Sequence, residues 1–417
     1  MDDFYYGEGG LRCEGVALAE ISESVGSPVY VYSHAALERA YRELEEAFSG
    51  LDHLVCYAVK ANGNLSVLRA LASFGAGADI VSGGELYRAM KAGFDPKKVV
   101  FAGVGKTEEE IMAALGERIL LFNVESASEL ERLEEIAGRF GKRARVSLRI
   151  NPDVDPGTHA HISTGQGESK FGIPIDEALG LAEKIGSYGC VDLLGIHQHI
   201  GSQITKIAPH AEAIEKSAGL IEELKRRDFD IKYFNIGGGL GIRYKDEDVP
   251  APKEYIDAIR PSLEATGAKI LCEMGRYVAG NAGVLLTRVV YRKKSGAKSF
   301  LVADAGMNDL LRPSLYDAHH EVRAVKENGS GSLQADLVGP VCESGDYLAR
   351  DRELPDAAEG DLLALMGAGA YGFSMSSNYN SRPRAAEVMV KGDRWAVIRE
   401  REHNADLIKG EVVPAFL

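Results

Sequence analysis

Short apolar runs recur along residues 54–273, and most are separated by segments in which apolar residues follow helical spacing. The runs are continuous and do not alternate with polar residues, which is typical of strands buried on both faces of a parallel sheet. Eight such strands alternating with helices predict a (β/α)8 barrel in an α/β protein, with an open doubly wound sheet as the alternative. The predicted strands are residues 54–59, 78–81, 99–102, 119–124, 146–150, 193–199, 233–236 and 269–273.

Helical periodicity marks most of the segments between these strands. Ser33 is predicted to cap a first helix that ends near residue 49, because a serine hydroxyl accepts a hydrogen bond from the first helical turn. The other predicted helices span residues 65–74, 84–92, 108–115, 126–140, 175–185 and 209–227.

The pattern changes after Arg276 to alternating strands and tight turns, which predicts a second, all-β domain. Extended segments near the N-terminus are expected to join its sheet. The predicted division is an N-terminal segment (1–33), a barrel (34–276) and a β domain (277–417). Its predicted strands include residues 285–291, 299–303, 322–325 and 387–390, with turns at 294–296, 327–331 and 391–393.

Composition narrows the class of partner. The chain has 417 residues, of which 45% are hydrophobic and 26% charged, and its formal net charge is −14. Nucleic acids and anionic membranes attract basic patches, so neither is expected as a partner, and a small-molecule substrate is favoured. No apolar run approaches the length that spans a membrane.

The cysteines and the N-terminal sequence predict a cytoplasmic protein. An acidic start without a basic segment and a following apolar segment predicts no secretory signal. A dispersed, odd number of cysteines suits a reducing compartment, and their spacing is not that of metal ligands, so no metal site is predicted. The five cysteines are Cys13, Cys56, Cys190, Cys272 and Cys342.

A candidate for chemistry ends the first predicted strand. Strand alternation places Cys56, Ala58 and Lys60 on one face, so a small-residue face leads to an amine. A lysine with little water around it can have its pKa lowered, and the neutral amine can then form a Schiff base with a carbonyl. For an isolated lysine, a solvated position at the end of a strand is the alternative.

Other reactive side chains follow the remaining strands, whose C-terminal ends form the active site of a barrel. A glycine run at 237–241 after strand 7 is suited to a phosphate, which together with Lys60 suggests pyridoxal phosphate. Glu273 could pair with the ring nitrogen of this cofactor, and His199 could stack on the ring. The alternatives are a plain turn, a Glu273–Arg276 ion pair and a core histidine. Strand 2 adds Asp79, and strand 6 adds His197.

These motifs, in this order, resemble the pyridoxal-phosphate-dependent decarboxylases of the alanine-racemase-like fold, and most closely the diaminopimelate decarboxylases. The resemblance covers nearly the whole chain. It is carried by residues 57–62 (YAVKAN), 199–203 (HIGSQ), 237–239 (GGG), 273–276 (EMGR) and 342–346 (CESGD).

The resemblance implies a role for each matching residue. Lys60 would hold the cofactor covalently, His199 would stack on its ring, and Glu273 would pair with the ring nitrogen. Cys342 would donate a proton from across the interface of a homodimer, so that the two subunits share each active site. Further cofactor contacts would come from Asp79, Ser202, Gly237, Gly238, Gly239, Gly275, Arg276 and Tyr371, and substrate contacts from Arg276, Arg312, Tyr316, Glu343 and Tyr371.

Two positions depart from the family pattern. Met274 stands where the family usually has a proline, and Gln198 separates the two histidines of strand 6. Neither change removes a charged or reacting group, so the resemblance implies altered tuning and not a loss of activity.

The implied activity is decarboxylation of meso-2,6-diaminopimelate to L-lysine and carbon dioxide, the last step of lysine biosynthesis. Arg312 and Glu343 would together suit the zwitterionic far end of this substrate. A related decarboxylase acting on ornithine, arginine or a carrier-bound or siderophore-pathway substrate is the first alternative. An amino-acid racemase and a non-catalytic binding protein are the others.

Overall fold

The computed structural model describes residues 3–155, 157, 170–326 and 331–417, so most of the predicted turn at 327–331 lies outside it. The chain divides into two units. The barrel unit spans Glu38–Val278, and the β unit combines the residues up to Leu37 with those from Ala279 onward.

The N-terminal part supplies one strand to the large sheet of the β unit. The sequence predicts that the extended N-terminal segments join this sheet, and β4 does so: it is buried along its whole length between two strands from the C-terminal part. The three shorter strands before it form an antiparallel sheet of their own. These elements are β1 (Phe4–Gly7), β2 (Gly10–Cys13), β3 (Val16–Ala17), α1 (Leu18–Val25) and β4 (Val29–Ser33).

The barrel strands confirm the predicted closed fold. In the part of the chain that the structure describes, eight parallel strands pair in the order β5-β6-β7-β8-β9-β11-β12-β13, and β13 pairs with β5 to close the ring. They are β5 (His53–Ala58), β6 (Gly77–Ile80), β7 (Val99–Phe101), β8 (Leu121–Val124), β9 (Ala144–Asn151), β11 (Val191–Gln198), β12 (Tyr233–Asn235) and β13 (Lys269–Met274), with the short β10 (Ile173–Pro174) beside β9.

Helices surround the strands, and several begin with a side-chain cap. Ser33 Oγ accepts a hydrogen bond from Ala36 N (2.9 Å), which confirms the predicted cap. Asn64, Ser82, Thr107 and Ser126 cap four later helices in the same way. The sequence did not predict α9. The helices are α2 (His34–Ala47), α3 (Leu65–Phe74), α4 (Gly83–Ala92), α5 (Glu108–Glu117), α6 (Ala127–Phe140), α7 (Ala178–Ile185), α8 (Ile207–Arg226) and α9 (Pro252–Thr266).

The C-terminal part builds the mixed sheet of the β unit, in the order β18-β17-β15-β14-β4-β20-β21, with β19 paired to β14 and β16. The predicted hairpins around residues 294–296 and 391–393 are both present. The elements are α10 (Arg276–Ala279), β14 (Gly283–Ser295), β15 (Lys298–Ala303), α11 (Arg312–Tyr316), β16 (Val322–Ala324), β17 (Ser332–Val338), β18 (Tyr347–Pro355), β19 (Leu362–Leu365), β20 (Ala386–Lys391), β21 (Arg394–Arg399) and α12 (Asn404–Leu407).

Among the residues with a described structure, no helix is both long enough and apolar enough to cross a bilayer.

A buried ion pair ties three elements together near the C-terminal ends of the barrel strands. The side chain of Lys106 is fully buried, and its Nζ lies 2.6 Å from Glu129 Oε1 on α6. The same Nζ donates to Gly103 O (2.9 Å), which follows β7, and to Asn123 O (2.8 Å), which lies within β8. Lys106 therefore satisfies groups that would otherwise lack partners in the interior.

We expect Lys106→Met to lower the free energy of unfolding by about 3–5 kcal/mol, because it leaves the buried Glu129 carboxylate without its cation. Urea or thermal unfolding of the purified protein measures the change. Arg132→Ala is the matched control, since Arg132 is 47% exposed in its contacts with Glu108 and Glu135, and it should cost less than about 1 kcal/mol. Equal losses in both variants would contradict the assigned difference.

A buried carboxyl group makes the stability of the β unit depend on pH. Asp309 is 1% exposed, and burial raises its pKa to about 7, while the hydrogen bond from Gly306 N (3.0 Å) opposes the rise. In the unfolded chain an aspartate titrates near about 3.9. Between these two values the folded state binds more protons, so this group contributes stability at low pH that is lost as the pH rises towards 7.

We expect Asp309→Asn to remove this dependence. Relative to the wild type, the variant should become more stable as the pH rises from about 4 to about 7, by up to about 1.4 kcal/mol per pH unit. Calorimetric melting of both proteins across that range is the measurement. A difference in melting temperature that stays constant over the whole range would refute the assigned titration.

Candidate active site

Lys60 faces a buried carboxylate at the C-terminal end of the barrel. Its Nζ lies 2.6 Å from Oδ2 of Asp79, whose side chain is fully buried, while the lysine side chain is 36% exposed. Asp79 lies on β6 in register with Ala58 on β5. The structure thus brings together the residues predicted from strands 1 and 2.

The sequence placed the end of the first strand too late. β5 ends at Ala58, and Lys60 lies in a 3-10 turn at Val59–Ala61. The segment after this turn leads into α3, whose N-cap is Asn64, and Asn62 Oδ1 accepts a hydrogen bond from Asn64 N (3.0 Å). Lys60 still contacts Asp79, so the misplaced strand end does not change which residues meet in the site.

Glu273 at the end of β13 is held by three side chains from other strands. Its Oε1 accepts hydrogen bonds from Nδ2 of Asn123 (3.0 Å) and of Asn235 (2.7 Å), and its Oε2 lies 3.2 Å from His197 Nε2. Asn235 Oδ1 accepts from Gly237 N (3.0 Å), which fixes the amide so that its NH2 group faces Glu273. Ser147 Oγ donates to Asn123 Oδ1.

These donors keep Glu273 ionised in a place where a carboxyl group would otherwise be protonated. Burial alone would raise its pKa, but the charge and hydrogen bond of His197, followed by the charge of Lys60, hold the pKa well below its usual range. The pKa of Asp79 moves in the opposite direction: burial and the neighbouring Glu273 charge raise it, and Lys60 opposes the rise. The surroundings therefore shift the pKa values of these two buried carboxyl groups in opposite directions.

His199 is a neutral ring beside the glycine turn. Burial lowers its pKa well below the usual range, and the charges of Arg149 and Lys60 lower it further. Its Nδ1 accepts a hydrogen bond from Gly238 N (3.1 Å), so this nitrogen carries a lone pair and the proton is on Nε2. A neutral planar ring at this position is suited to stacking.

The glycine turn after β12 has no room for side chains. A Cβ at Gly237, Gly238 or Gly239 would lie 2.3, 2.0 or 2.6 Å from a backbone oxygen of a neighbouring segment. Gly237 and Gly239 also have φ values of +68° and +117°. Gly237 N and Gly238 N donate within the site, whereas Gly239 N donates to no residue that the structure describes. One backbone donor is thus available to an anion.

Arg276 and Ser202 lie together near this turn. Arg276 donates to Ser202 Oγ through Nη2 (3.2 Å) and Nε (3.4 Å), and its Nη1 donates to the hydroxyl of Tyr244 (2.8 Å). Gly275, just before it, is packed so closely that a Cβ would lie 3.0 Å from the Cβ atoms of Ala58 and Ala61. A cation, a hydroxyl and a backbone N–H are donors suited to a phosphate.

The two departures from the family pattern lie in packed positions. Gln198 is buried, and its Oε1 accepts a hydrogen bond from Ser217 Oγ on α8, so it joins β11 to the surrounding helix. Met274 is 1% exposed at the end of β13. Neither side chain makes a described hydrogen bond to Lys60 or Glu273, and their effect on activity stays a prediction.

In the β unit, Arg312 and Tyr316 begin and end α11. Arg312 is 4% exposed, and its Nη1 donates to Nε2 of His320 (2.7 Å). Tyr316 is partly exposed, and its four-residue spacing from Arg312 places the two residues on the same face of this short helix.

Cys342 and Glu343 lie exposed in a loop between β17 and β18. Asp346 anchors this loop, because its carboxylate accepts from Met307 N and Val341 N (2.6 Å each). Cys342 N donates to Asn380 Oδ1 (2.8 Å), and Glu343 Oε2 accepts from the Tyr379 hydroxyl (3.1 Å). The loop therefore presents a thiol and a carboxylate on a fixed backbone.

Tyr371 occupies a strained turn of the β unit. Its φ is +56°, a conformation that non-glycine residues rarely adopt. The neighbouring Gly372 packs so tightly that a Cβ would lie 2.4 Å from Ala368 O. Such strain persists where the surrounding structure fixes a residue, which fits a functional position.

Sequence reasoning missed several residues that shape the site. Asn123 and Asn235 interrupt apolar strand runs near their C-terminal ends, and that interruption is the signal that could have identified them. Arg149 forms a buried ion pair with Glu125 (2.8 Å) and lowers the pKa of His199 from that position. Tyr244 follows the glycine turn in an irregular segment, and nothing in the local pattern marks it.

The residues in the barrel fit pyridoxal phosphate. Lys60 supplies an amine, Glu273 an ionised partner for the ring nitrogen, and His199 a neutral ring. The glycine turn, Ser202 and Arg276 supply the donors for a phosphate. Glu273 supports this fit most strongly, because side chains from three strands surround its carboxylate at 5% exposure.

Known proteins resemble the chain in sequence and in structure. The family model for the pyridoxal binding domain of pyridoxal-dependent decarboxylases matches residues 34–280. A diaminopimelate decarboxylase of Aquifex aeolicus is 51% identical over 95% of this chain and 94% of its own length. One from Pseudomonas aeruginosa is also 51% identical, over 99% of both chains.

A solved structure agrees with these sequence matches. The crystal structure of diaminopimelate decarboxylase from Helicobacter pylori complexed with L-lysine superimposes with a TM-score of 0.91 at 43% identity, covering 94% of this chain and 98% of that one. The chain belongs to the diaminopimelate decarboxylase family of pyridoxal-phosphate-dependent enzymes.

Proposed function

We propose that this protein decarboxylates meso-2,6-diaminopimelate to L-lysine and carbon dioxide, the last step of lysine biosynthesis, with pyridoxal phosphate as its cofactor. The observation that carries the proposal is the buried Glu273 carboxylate, which accepts hydrogen bonds from Asn123 and Asn235, in the same barrel in which Lys60 contacts Asp79. When bound, pyridoxal phosphate supplies an electron sink for the electron pair that remains when the carboxylate leaves.

In the barrel, each residue would hold one part of the cofactor. Lys60 would hold it covalently, and Asp79 would be the partner of the free lysine amine. Glu273 would accept a hydrogen bond from the ring nitrogen and keep a proton there, because Asn123 and Asn235 stabilise its charge. His199 would stack on the ring. Gly237, Gly238, Gly239, Ser202, Gly275 and Arg276 would form the phosphate side of the site.

In the β unit, residues of α11 and of the loop between β17 and β18 would bind the substrate and supply a proton. Arg312 with Tyr316 would bind a carboxylate, while Glu343 would bind the distal amino group. Cys342 Sγ would hold the proton that replaces the departing carboxylate on the α-carbon. Tyr371 and Arg276 would add contacts to cofactor and substrate. The paired cation and anion support a zwitterionic substrate.

We also infer that the protein acts as a homodimer in which each barrel receives Cys342 and Glu343 from the partner subunit. Both residues are exposed and anchored by backbone contacts, which supports a role at an interface. The five free cysteines support a reducing compartment, and we assign the protein to the cytoplasm on that ground.

A substrate panel tests the proposed activity. The purified, cofactor-loaded protein should release carbon dioxide from meso-diaminopimelate with an equal amount of L-lysine, and should leave ornithine and arginine unchanged, since Arg312 and Glu343 together fit a zwitterionic far end. Carbon dioxide release and chiral amino-acid analysis are the readouts. Turnover of ornithine or arginine in place of meso-diaminopimelate would overturn the substrate, and racemisation of alanine without carbon dioxide would overturn the reaction.

Mixed dimers test the shared site. Lys60→Ala and Cys342→Ala should each reduce kcat by about 100-fold or more, because one removes the cofactor bond and the other the proton donor. Unfolded and refolded together in equal amounts, they should regain about a quarter of wild-type activity, since half of the dimers are hybrids with one intact site.

The control for this experiment is each variant refolded alone, which should stay inactive. An equal mixture that also stays inactive, although mass spectrometry detects hybrid dimers, would exclude sharing of the site between subunits.

A further inference from the structure

We propose that His320 is a positioning residue that holds the Arg312 guanidinium ready for the carboxylate of the substrate. The inference deepens the proposed function, because it rests on Arg312 as the carboxylate-binding residue. The juxtaposition that carries it is an uninterrupted chain of hydrogen bonds from Arg312 through His320 to the backbone of the β sheet.

The histidine lies between a cation and a backbone carbonyl. Arg312 Nη1 lies 2.7 Å from His320 Nε2, and His320 Nδ1 lies 2.8 Å from Met366 O. His320 is fully buried, and Arg312 is 4% exposed. Both contacts are therefore shielded from water, and hydrogen bonds in the protein interior are stronger than those at the surface.

The two neighbours determine the protonation of the ring. A guanidinium can only donate, so His320 Nε2 must offer its lone pair to Arg312. A carbonyl oxygen can only accept, so His320 Nδ1 must carry the hydrogen that faces Met366. Each neighbour independently selects the same neutral tautomer, and the ring has no charge.

A neutral partner leaves the charge of the arginine intact. A buried aspartate or glutamate in place of His320 would neutralise Arg312 and compete with the carboxylate of the substrate. The histidine orients the planar guanidinium through one N–H and leaves its positive charge intact. The contact therefore orients Arg312 without weakening its attraction for an anion.

His320 is itself attached to two strands. Its side chain bonds to Met366, which directly follows β19, and Met366 N donates to Glu321 O (2.8 Å). Its carbonyl oxygen accepts a hydrogen bond from Arg352 Nη1 on β18 (2.7 Å). A long arginine side chain held in this way loses less conformational freedom when the substrate binds, which favours affinity.

Two substitutions of His320 separate positioning from simple packing. In His320→Asn, the shorter amide can still donate to Met366 O but cannot reach Arg312. In His320→Gln, the longer amide places an oxygen near the position of Nε2, so it can accept from Arg312. His403→Gln is the control, because His403 is an exposed histidine of the same unit.

The experiment uses cofactor-loaded enzyme and two inhibitors of similar length, L-lysine and cadaverine, of which only L-lysine has a carboxylate. We expect His320→Asn to raise KM for meso-diaminopimelate and Ki for L-lysine about tenfold or more, with kcat and the Ki for cadaverine within about twofold of wild type. His320→Gln and His403→Gln should stay within about threefold throughout.

Several outcomes would overturn the inference. Wild-type KM and Ki in a folded His320→Asn enzyme would do so, as would equal weakening of L-lysine and cadaverine, which indicates general distortion. If His320→Asn does not fold, His320→Gln decides: values within threefold support the inference, and a tenfold loss for both inhibitors overturns it.

Arg312→Ala, measured in parallel, separates the two levels of the proposal. A large rise in Ki for L-lysine with this variant, beside an unchanged His320→Asn enzyme, would refute the positioning role alone. An unchanged Ki for L-lysine in Arg312→Ala would refute the carboxylate-binding role of Arg312, and the inference about His320 would fall with it.

Discussion

The proposed cofactor site in the barrel depends on the ionised state of Glu273. A carboxyl group at this burial would normally take up a proton, since the charged form loses its hydration. Here two amide groups, His197 and the nearby positive charges stabilise the anion. A carboxylate in this state can keep a bound pyridinium nitrogen protonated, which makes the ring an effective electron acceptor.

Closure of the barrel makes this arrangement possible. Asn123, Asn235 and His197 lie on β8, β12 and β11, and only the closed sheet directs all three towards the end of β13. Asn235 also binds Gly237 N, so the carboxylate proposed to pair with the ring nitrogen and the turn proposed to bind the phosphate both contact one side chain. A substitution in either part of the proposed cofactor site would therefore also affect the other part.

The sequence predicted the barrel correctly, for a physical reason, whereas the roles of its side chains stay predictions. Strands buried on both faces must be continuously apolar, and the active site of such a barrel must lie at their C-terminal ends, which points to Lys60, Asp79 and Glu273. It did not predict which polar side chains would meet. Asn123 and Glu273 are 150 positions apart, and only the closed sheet brings them together. The end of β5 was predicted one residue too late because Val59, the first residue of the 3-10 turn, is as apolar as the strand before it.

The most direct test of this account is the ¹⁵N chemical shift of the ring nitrogen in protein loaded with ¹⁵N-labelled pyridoxal phosphate. The account predicts a protonated nitrogen from about pH 6 to pH 9, and a change to the unprotonated shift in Glu273→Gln, because an amide cannot retain that proton. An unprotonated nitrogen in the wild-type protein, or an unchanged shift in Glu273→Gln, would contradict it.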